Sequence, residues 1–365
     1  MKYRSSGRNK YRALFIYQIL FWTIAYCALT FLKFFDLGEI IAFSDSNNIQ
    51  DWGFDIALLI SLSAGLLQGT LLACMDIAID RRLKENRSFF TFVTHKTIAY
   101  FLVIMVVITI SVIIRQIVII PSISGAFEQT LSVLTSRSVA VYIIYAFVMS
   151  FVASFLYHIY QNIGPHIFWP MLLGRYYSPV IEERIFMFLD LKSSTTYAER
   201  LGHILYSNLI QDCFFDLNRS VIKFQAQVYQ YIGDEAILTW RINKDGDNLA
   251  PLEFYFDFVK QLLSRHQYYL KRYGFIPVFK TGVNCGSVTV AEIGVSKRSI
   301  AYHGDVLNTA ARIQNECNRL DKSLLVSGKY YNLIQNQVEY NINHIDTLKL
   351  KGKESQTKVY SVESK

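Results

Sequence analysis

Two aspartates in the C-terminal half, Asp190 and Asp234, stand where carboxylates could converge on one site. Asp190 lies at the end of the apolar run Ile185–Leu191, which reads as a β-strand. Asp234 follows Gly233 in a turn between two strand-like runs. Hard oxygen ligands of this kind suit Mg²⁺ or Mn²⁺. Ser193, Ser194 and Thr195 come directly after the first strand, at the start of a helical stretch whose free backbone N–H groups would cradle a phosphate. Farther along, Asn308 and Arg312 are four residues apart, so on a helix they share one face and could act together on a negatively charged transition state. Taken singly, a Gly-Asp pair is an ordinary turn and a helical arginine an ordinary solvated face. It is their order and spacing that point to metal-assisted phosphate chemistry.

The elements that must position these residues follow an α/β pattern. After the strand Ile185–Leu191 a helix is expected over about Thr196–Asn218, with Leu201, Leu205, Leu209 and Phe214 recurring along it. Ala226–Tyr231 and Ala236–Trp240 read as a β-hairpin about Gly233–Asp234. A second helix is expected over about Leu252–Tyr273, then a strand pair, Phe279–Cys285 and Ser287–Ile293, around Gly286. A helix over Val306–Arg319 and terminal strands that include Lys358–Val362 complete the pattern.

From about Ile185 to the C-terminus the sequence resembles the class III adenylate/guanylate cyclase family. Phe188-x-Asp190-Leu-x-x-x-Thr195 and Gly233-Asp234 are similar to that family's two metal-aspartate motifs. Gly304-Asp305-x-x-Asn308-x-Ala-x-Arg312 resembles the stretch carrying its transition-state Asn and Arg. Leu350-Lys351-Gly352-Lys353, followed by Val359-Tyr360, is similar to the terminal strands from which a lysine reaches the triphosphate; Lys351 is expected in that role, with Lys353 close behind.

The resemblance implies a ferredoxin-like α/β domain that works as a head-to-tail homodimer. Each of two equivalent sites would take Asp190 and Asp234 from one subunit and Asn308 and Arg312 from the other. It further implies two Mg²⁺ or Mn²⁺ ions per site. One would lower the pKa of the ribose 3′-hydroxyl for attack on the α-phosphorus, and the other would neutralise the departing pyrophosphate. Arg312 would stabilise charge on the α-phosphoryl group and Asn308 would orient the ribose. Asp305 is expected to be structural.

The base-reading positions depart from the family pattern. Gln230 stands where adenylate cyclases commonly have Lys and guanylate cyclases Glu, and Ala301 stands where adenine readers have Asp or Thr. A glutamine amide both donates and accepts, whereas alanine offers no side-chain hydrogen bond. ATP is expected because it is the commonest substrate of membrane-bound members. GTP or a pyrimidine triphosphate is the alternative, and a catalytically inactive cyclase-like module the competing class. Ser193 replaces the usual glycine of the first motif, a change expected to narrow the turn only slightly.

The N-terminal half is of different material. Four apolar segments, about Leu14–Leu32, Ile56–Ala78, Thr97–Ile120 and Val139–Ile163, are long enough to cross a bilayer, which takes roughly 20 helical residues. Lys2, Arg4, Arg8, Lys10 and Arg12 precede the first, and Arg81, Arg82, Lys84, Arg87 and Lys96 follow the second. Asp36, Glu39, Asp45 and Asp51 fill the first loop. By the positive-inside rule both termini are cytosolic, in a multi-pass protein of the cell membrane. The net charge of +8 is thereby explained by topology, and no nucleic-acid partner is expected. Arg115 is expected to snorkel to the headgroups, Asp76 and His158 lie near cytosolic ends, and the near absence of intramembrane polar groups argues against a channel. The expected division is a four-helix transmembrane domain over 1–163, a Pro-punctuated linker over 164–183 and a catalytic domain over 184–365. In the linker Phe168, Trp169, Tyr176 and Tyr177 suit the membrane interface. The five cysteines show no metal-binding spacing and are expected to be reduced.

Overall fold

The computed structural model describes residues 4–34, 54–82, 89–119, 130, 137–163, 170, 173–244, 246–296, 298–335, 340–348 and 356–364. The chain divides into two compact units that part between Pro165 and His166.

The N-terminal unit holds four long helices: α1 (Arg4–Phe34), α2 (Phe54–Arg82), α3 (Phe89–Ile119) and α4 (Arg137–Ile163). Within them Leu14–Leu32, Ala57–Ala78, Phe90–Ile110 and Ala140–Tyr160 are long and apolar enough to span a membrane. Helices satisfy their own backbone groups, which a segment in hydrocarbon requires. Large side chains such as Leu20, Ile24, Leu67 and Ile144 face outward, while Trp22, Leu72, Tyr100, Ile104 and Ala153 fill the interior. Gly65 and Gly69 set the contact of α1 with α2. A Cβ on Gly65 would lie 2.4 Å from the Thr23 Cα, and one on Gly69 2.5 Å from the Ile19 Cα, so the backbones touch only because both positions lack one.

The interior also carries charge, contrary to the near absence of intramembrane polar groups expected above. Asp76 is fully buried and accepts hydrogen bonds from Gln18 Nε2 and Tyr100 Oη, each at 2.6 Å on Oδ2. Lys96 Nζ lies 2.8 Å from Asp76 Oδ1, pairing as a charge but outside hydrogen-bond alignment. Trp22 Nε1 in turn donates to Gln18 Oε1 at 3.1 Å. The lysine sits 4.0 Å from the ring centre of Tyr157 on α4, so all four helices contribute. Asp76, two residues from the end of the span Ala57–Ala78, is thus also the centre of a buried network. The side chain of Arg115 lies outside the described residues.

The C-terminal unit is a mixed sheet flanked by helices. Its elements are β1 (Val180–Leu191), α5 (Ser194–Lys223), β2 (Gln227–Ile232), β3 (Glu235–Arg241), α6 (Ala250–Ser264), α7 (His266–Tyr273), β4 (Phe279–Ile293), β5 (Ser299–His303), α8 (Asp305–Arg319), β6 (Leu324–Ser327), α9 (Gly328–Ile334), β7 (Asn341–Leu348) and β8 (Thr357–Glu363). The strands run in the order β2-β3-β1-β4-β6-β8-β7, with β5 paired to β4. Central β1 alternates between two cores, as a strand buried on both faces must. Ile185, Met187, Leu189 and Leu191 join the larger core with Leu209, Cys213, Phe254 and Phe258. Phe186 and Phe188 join a smaller one with Val306 and Ala310 of α8.

β1 begins at Val180, inside the stretch expected to be linker. Tyr176 is also part of this unit: it is 3% exposed, belongs to the smaller core, and its carbonyl accepts from Glu292 N at 2.8 Å. Its ring is therefore packed inside the C-terminal unit, while Tyr177 beside it is exposed. Phe168 and Trp169 lie outside the described residues. The expected strand pair about Gly286 is one continuous fifteen-residue strand, β4, which pairs antiparallel with β1 from Val180↔Val290 to Leu191↔Phe279. Gly286 marks a close approach rather than a turn: a Cβ there would meet Val306 Cγ2 at 3.1 Å. The expected helix Leu252–Tyr273 is two, α6 and α7, parting at Arg265.

Candidate active site

The antiparallel pairing of β1 places Asp190 opposite Glu235 of β3 on one side and Lys280 of β4 on the other. Asp234 occupies the two-residue turn between β2 and β3, where Gly233 takes φ +62° without a side-chain penalty. The two predicted aspartates are therefore neighbours, brought together by strand register.

Their surroundings are strongly acidic. Burial raises the Asp234 carboxyl above the ordinary carboxylate value; a hydrogen bond from Ser194 opposes this, and the charge of Asp190 adds to it. Asp234 Oδ2 is buried and has no hydrogen-bond partner. Glu235 is pushed up to about 7, by burial first and then by the charges of Asp190 and Asp234, with Lys280 opposing. Tyr206 of α5 reports the same field: burial and then Asp234 raise its hydroxyl to about 12.

An orphaned, buried carboxylate oxygen beside a second carboxylate fits a hard divalent ion. Among the described residues no group of three or more His, Cys, Asp or Glu could hold a metal.

The turn after β1 has a left-handed residue, Ser193, at φ +61° and ψ +32°, immediately before α5. Ser194 and Thr195 therefore open the helix, and Ser194 binds Asp234 as well as lying in the predicted phosphate cradle. α5 runs on to Lys223, beyond its expected end, with a non-helical residue at Gly202.

Asn308 and Arg312 lie on α8, exposed and half-buried respectively. Among the described residues neither forms a hydrogen bond or ion pair with Asp190 or Asp234. The opposite face of α8 (Val306, Ala310, Ile313, Gln314, Cys317) is buried against the sheet. Asp305 accepts from Thr309 Oγ1 at 3.3 Å in the helix's first turn, consistent with a local structural part. Gln230 is exposed on β2 next to a bulge, and Ala301 is buried on β5 opposite Ala291. Their neighbours Tyr229 and Tyr302 touch edge to face at 4.9 Å, so the strands carrying the two expected base-reading positions meet on the α8 side of the sheet. Lys351 and Lys353 lie outside the described residues.

Three contributors were not singled out from sequence: Glu235, Lys280 and Gln314. Lys280 Nζ pairs with Asp190 Oδ2 at 3.0 Å, and Gln314 Nε2 donates to the same oxygen at 3.1 Å. Glu235 adjoins a motif residue and could have been flagged. The other two become visible only through strand register and helix packing.

The family described as adenylate and guanylate cyclase catalytic domain matches residues 177–364, just over half of the chain. Adenylate cyclase 2 of Rhizobium meliloti (strain 1021) is 30% identical over 220 residues, 60% of this chain and 61% of that protein. This chain thus spans less than two thirds of that relative's length. Among solved structures, a bacterial light-regulated adenylyl cyclase aligns with a TM-score of 0.51 at 18% identity, covering 59% of this chain and 62% of that one. The adenylyl cyclase CyaB from P. aeruginosa aligns with a TM-score of 0.46 at 18% identity, over 52% and 97% of the two chains. With the family match extending from just before β1 through β8, the chain belongs to the class III adenylate/guanylate cyclase family.

Proposed function

We propose that this protein is a membrane-anchored nucleotide cyclase converting ATP to 3′,5′-cyclic AMP and pyrophosphate. The observation that carries the proposal is the Asp190–Asp234 pair, with a buried Asp234 oxygen lacking any partner. Asp190 and Asp234 would hold Mg²⁺ or Mn²⁺, two ions per site. When bound, the ions would supply activation of the ribose 3′-hydroxyl and neutralisation of the pyrophosphate. Ser194 orients Asp234, and the N–H groups of Ser194 and Thr195 cradle phosphate oxygens. Arg312 stabilises charge on the α-phosphoryl group and Asn308 positions the ribose, each contribution of the order of a few kcal/mol. Lys351 completes the triphosphate site.

Because Asn308 and Arg312 face away from the sheet that bears the aspartates, we assign them to a second chain's site in a head-to-tail homodimer. Residues 1–163 form the anchor and 164–183 the connection, with Tyr176 and the start of β1 already contributing to the catalytic fold. Both termini lie on the cytosolic side of the cell membrane, where nucleoside triphosphates are available. Adenine is favoured by the likeness to the 30%-identical relative, an adenylate cyclase. Gln230 offers the base a donor and an acceptor, and Ala301 leaves space without a hydrogen bond.

The test is to incubate the purified full-length protein with Mn²⁺ and each of the four nucleoside triphosphates, and to identify products by mass. Cyclic AMP as the main product is expected. Cyclic GMP or a cyclic pyrimidine nucleotide would reassign the base, and absence of any cyclic product would overturn the enzyme reading.

A further inference from the structure

We propose that Gln314 is a positioning residue for Asp190, so that one helix, α8, serves both active sites of the dimer. Its buried face would fix the metal-binding carboxylate of its own chain while its other face supplies Asn308 and Arg312 to the partner. This inference rests on the shared-site reading above and adds a residue to it.

Three observations carry it. Gln314 is 2% exposed, and its amide Nε2 donates to Asp190 Oδ2 at 3.1 Å across 124 positions of sequence. Lys280 Nζ occupies the same oxygen at 3.0 Å. With two donors on one oxygen, turning the carboxylate breaks both contacts, so its orientation is set before any cation arrives. The reach of Gln314 is itself built in. At Gly282 of β4 a Cβ would lie 2.4 Å from both Ala310 O and Gln314 N, so only glycine lets α8 press this close to the sheet. At 100° per residue, Gln314 and Arg312 project about 160° apart around the helix. One rigid element therefore presents a hydrogen-bond donor inward and the transition-state pair outward. Asp305–Arg319 contains all three residues without a break.

The experiment uses full-length chains carrying different tags. Co-expressed Asp190→Ala and Arg312→Ala chains form a heterodimer with one complete site, its aspartates from the second chain and its Asn308 and Arg312 from the first. Gln314→Met, close in volume but without the amide donor, is then placed on either chain. On the Arg312→Ala chain it lies in cis to the working aspartates, and the Mn²⁺ concentration for half-maximal rate should rise roughly 10-fold or more, the usual size for an outer partner of a metal ligand. On the Asp190→Ala chain the same substitution should leave the Mn²⁺ requirement unchanged, which also shows that the altered helix folds and dimerises. A second readout is Mn²⁺ binding, followed by electron paramagnetic resonance on the unmixed protein with a nucleotide lacking the 3′-hydroxyl. Gln314→Met should weaken it by a similar factor. Equal effects in cis and trans, or unweakened Mn²⁺ binding, would overturn the role of Gln314. If the starting mixed pair shows no activity at all, the shared-site reading fails instead, and the resonance titration still decides whether Gln314 positions Asp190.

Discussion

At the scale of single residues the site is built from conflict. Asp190, Asp234 and Glu235 crowd together with one lysine against them, and the cost shows in a raised Asp234 carboxyl and in Glu235, pushed up to about 7 from an ordinary 4.5 by burial and then by the two aspartates. A carboxyl whose pKa is raised in the folded chain favours folding only while protonated. Its contribution is fully present below about 4.5, the unfolded value, and is lost as pH rises through about 7. In chelator, Glu235→Gln should therefore raise the melting temperature of the detergent-solubilised protein at pH 8, with the gain shrinking towards zero near pH 5. An equal gain at both pH values would dismiss the titration argument. Ser193 is a second point of local cost. A left-handed φ of +61° disfavours any side chain, so the serine strains the turn it occupies. Ser193→Gly should stabilise the catalytic unit by about 0.5–1 kcal/mol, read from denaturant midpoints, and a loss of stability would show that the hydroxyl makes a contact worth more than the backbone strain.

The element scale shows where sequence patterns speak and where they fall silent. The strand ending at Asp190 and the hairpin turn at Asp234 are local features with hydrophobic alternation and turn residues, and both are found where the pattern puts them. Gly286 misleads because glycine in a strand marks either a turn or a close neighbour, and the neighbour, Val306, lies on a helix twenty residues away. The same limit hides the buried polar network of the N-terminal unit. Gln18, Asp76, Lys96 and Tyr100 each look like one polar residue in an apolar run, and only helix packing gathers them. Their burial makes a sharp prediction. Removing one partner of a buried pair leaves an uncompensated charge, at a cost of about 3–5 kcal/mol, whereas replacing both can be nearly neutral. Lys96→Met should thus lower the thermal stability of the membrane unit strongly, and adding Asp76→Asn should recover most of the loss. A double variant as unstable as the single one would mean the lysine acts through packing on Tyr157 and Phe92 instead.

For the whole molecule, the decisive question is which way the anchor points. Gln18 is near the start of the first span, Asp76 near the end of the second, Lys96 near the start of the third, and Tyr157 near the end of the fourth. In an up-down bundle these all fall at one end, the end from which α4 leads on to the catalytic unit. Most basic residues flanking the spans belong in sequence to that same end: Arg4, Arg8, Lys10 and Arg12 before the first span, and Arg81, Arg82, Lys84 and Arg87 after the second, against Lys33, Arg115 and Arg137 on the other side. In sequence, Asp36, Glu39, Asp45 and Asp51 fall between the first and second spans. A central lysine costs roughly 2.5–3.5 kcal/mol to insert into a bilayer, so placing Lys96 near the end and pairing it reduces a real penalty. Charge bias and the need of the proposed cyclase for cytosolic nucleotide both favour one orientation. Alkaline phosphatase, which is active only when exported, should therefore be active when inserted in the loop around Asp45 and inactive when fused after Lys365. Fluorescent protein at the same two places should show the reverse. Phosphatase activity from the C-terminal fusion would place the catalytic unit away from its substrate and would overturn the anchor's proposed topology.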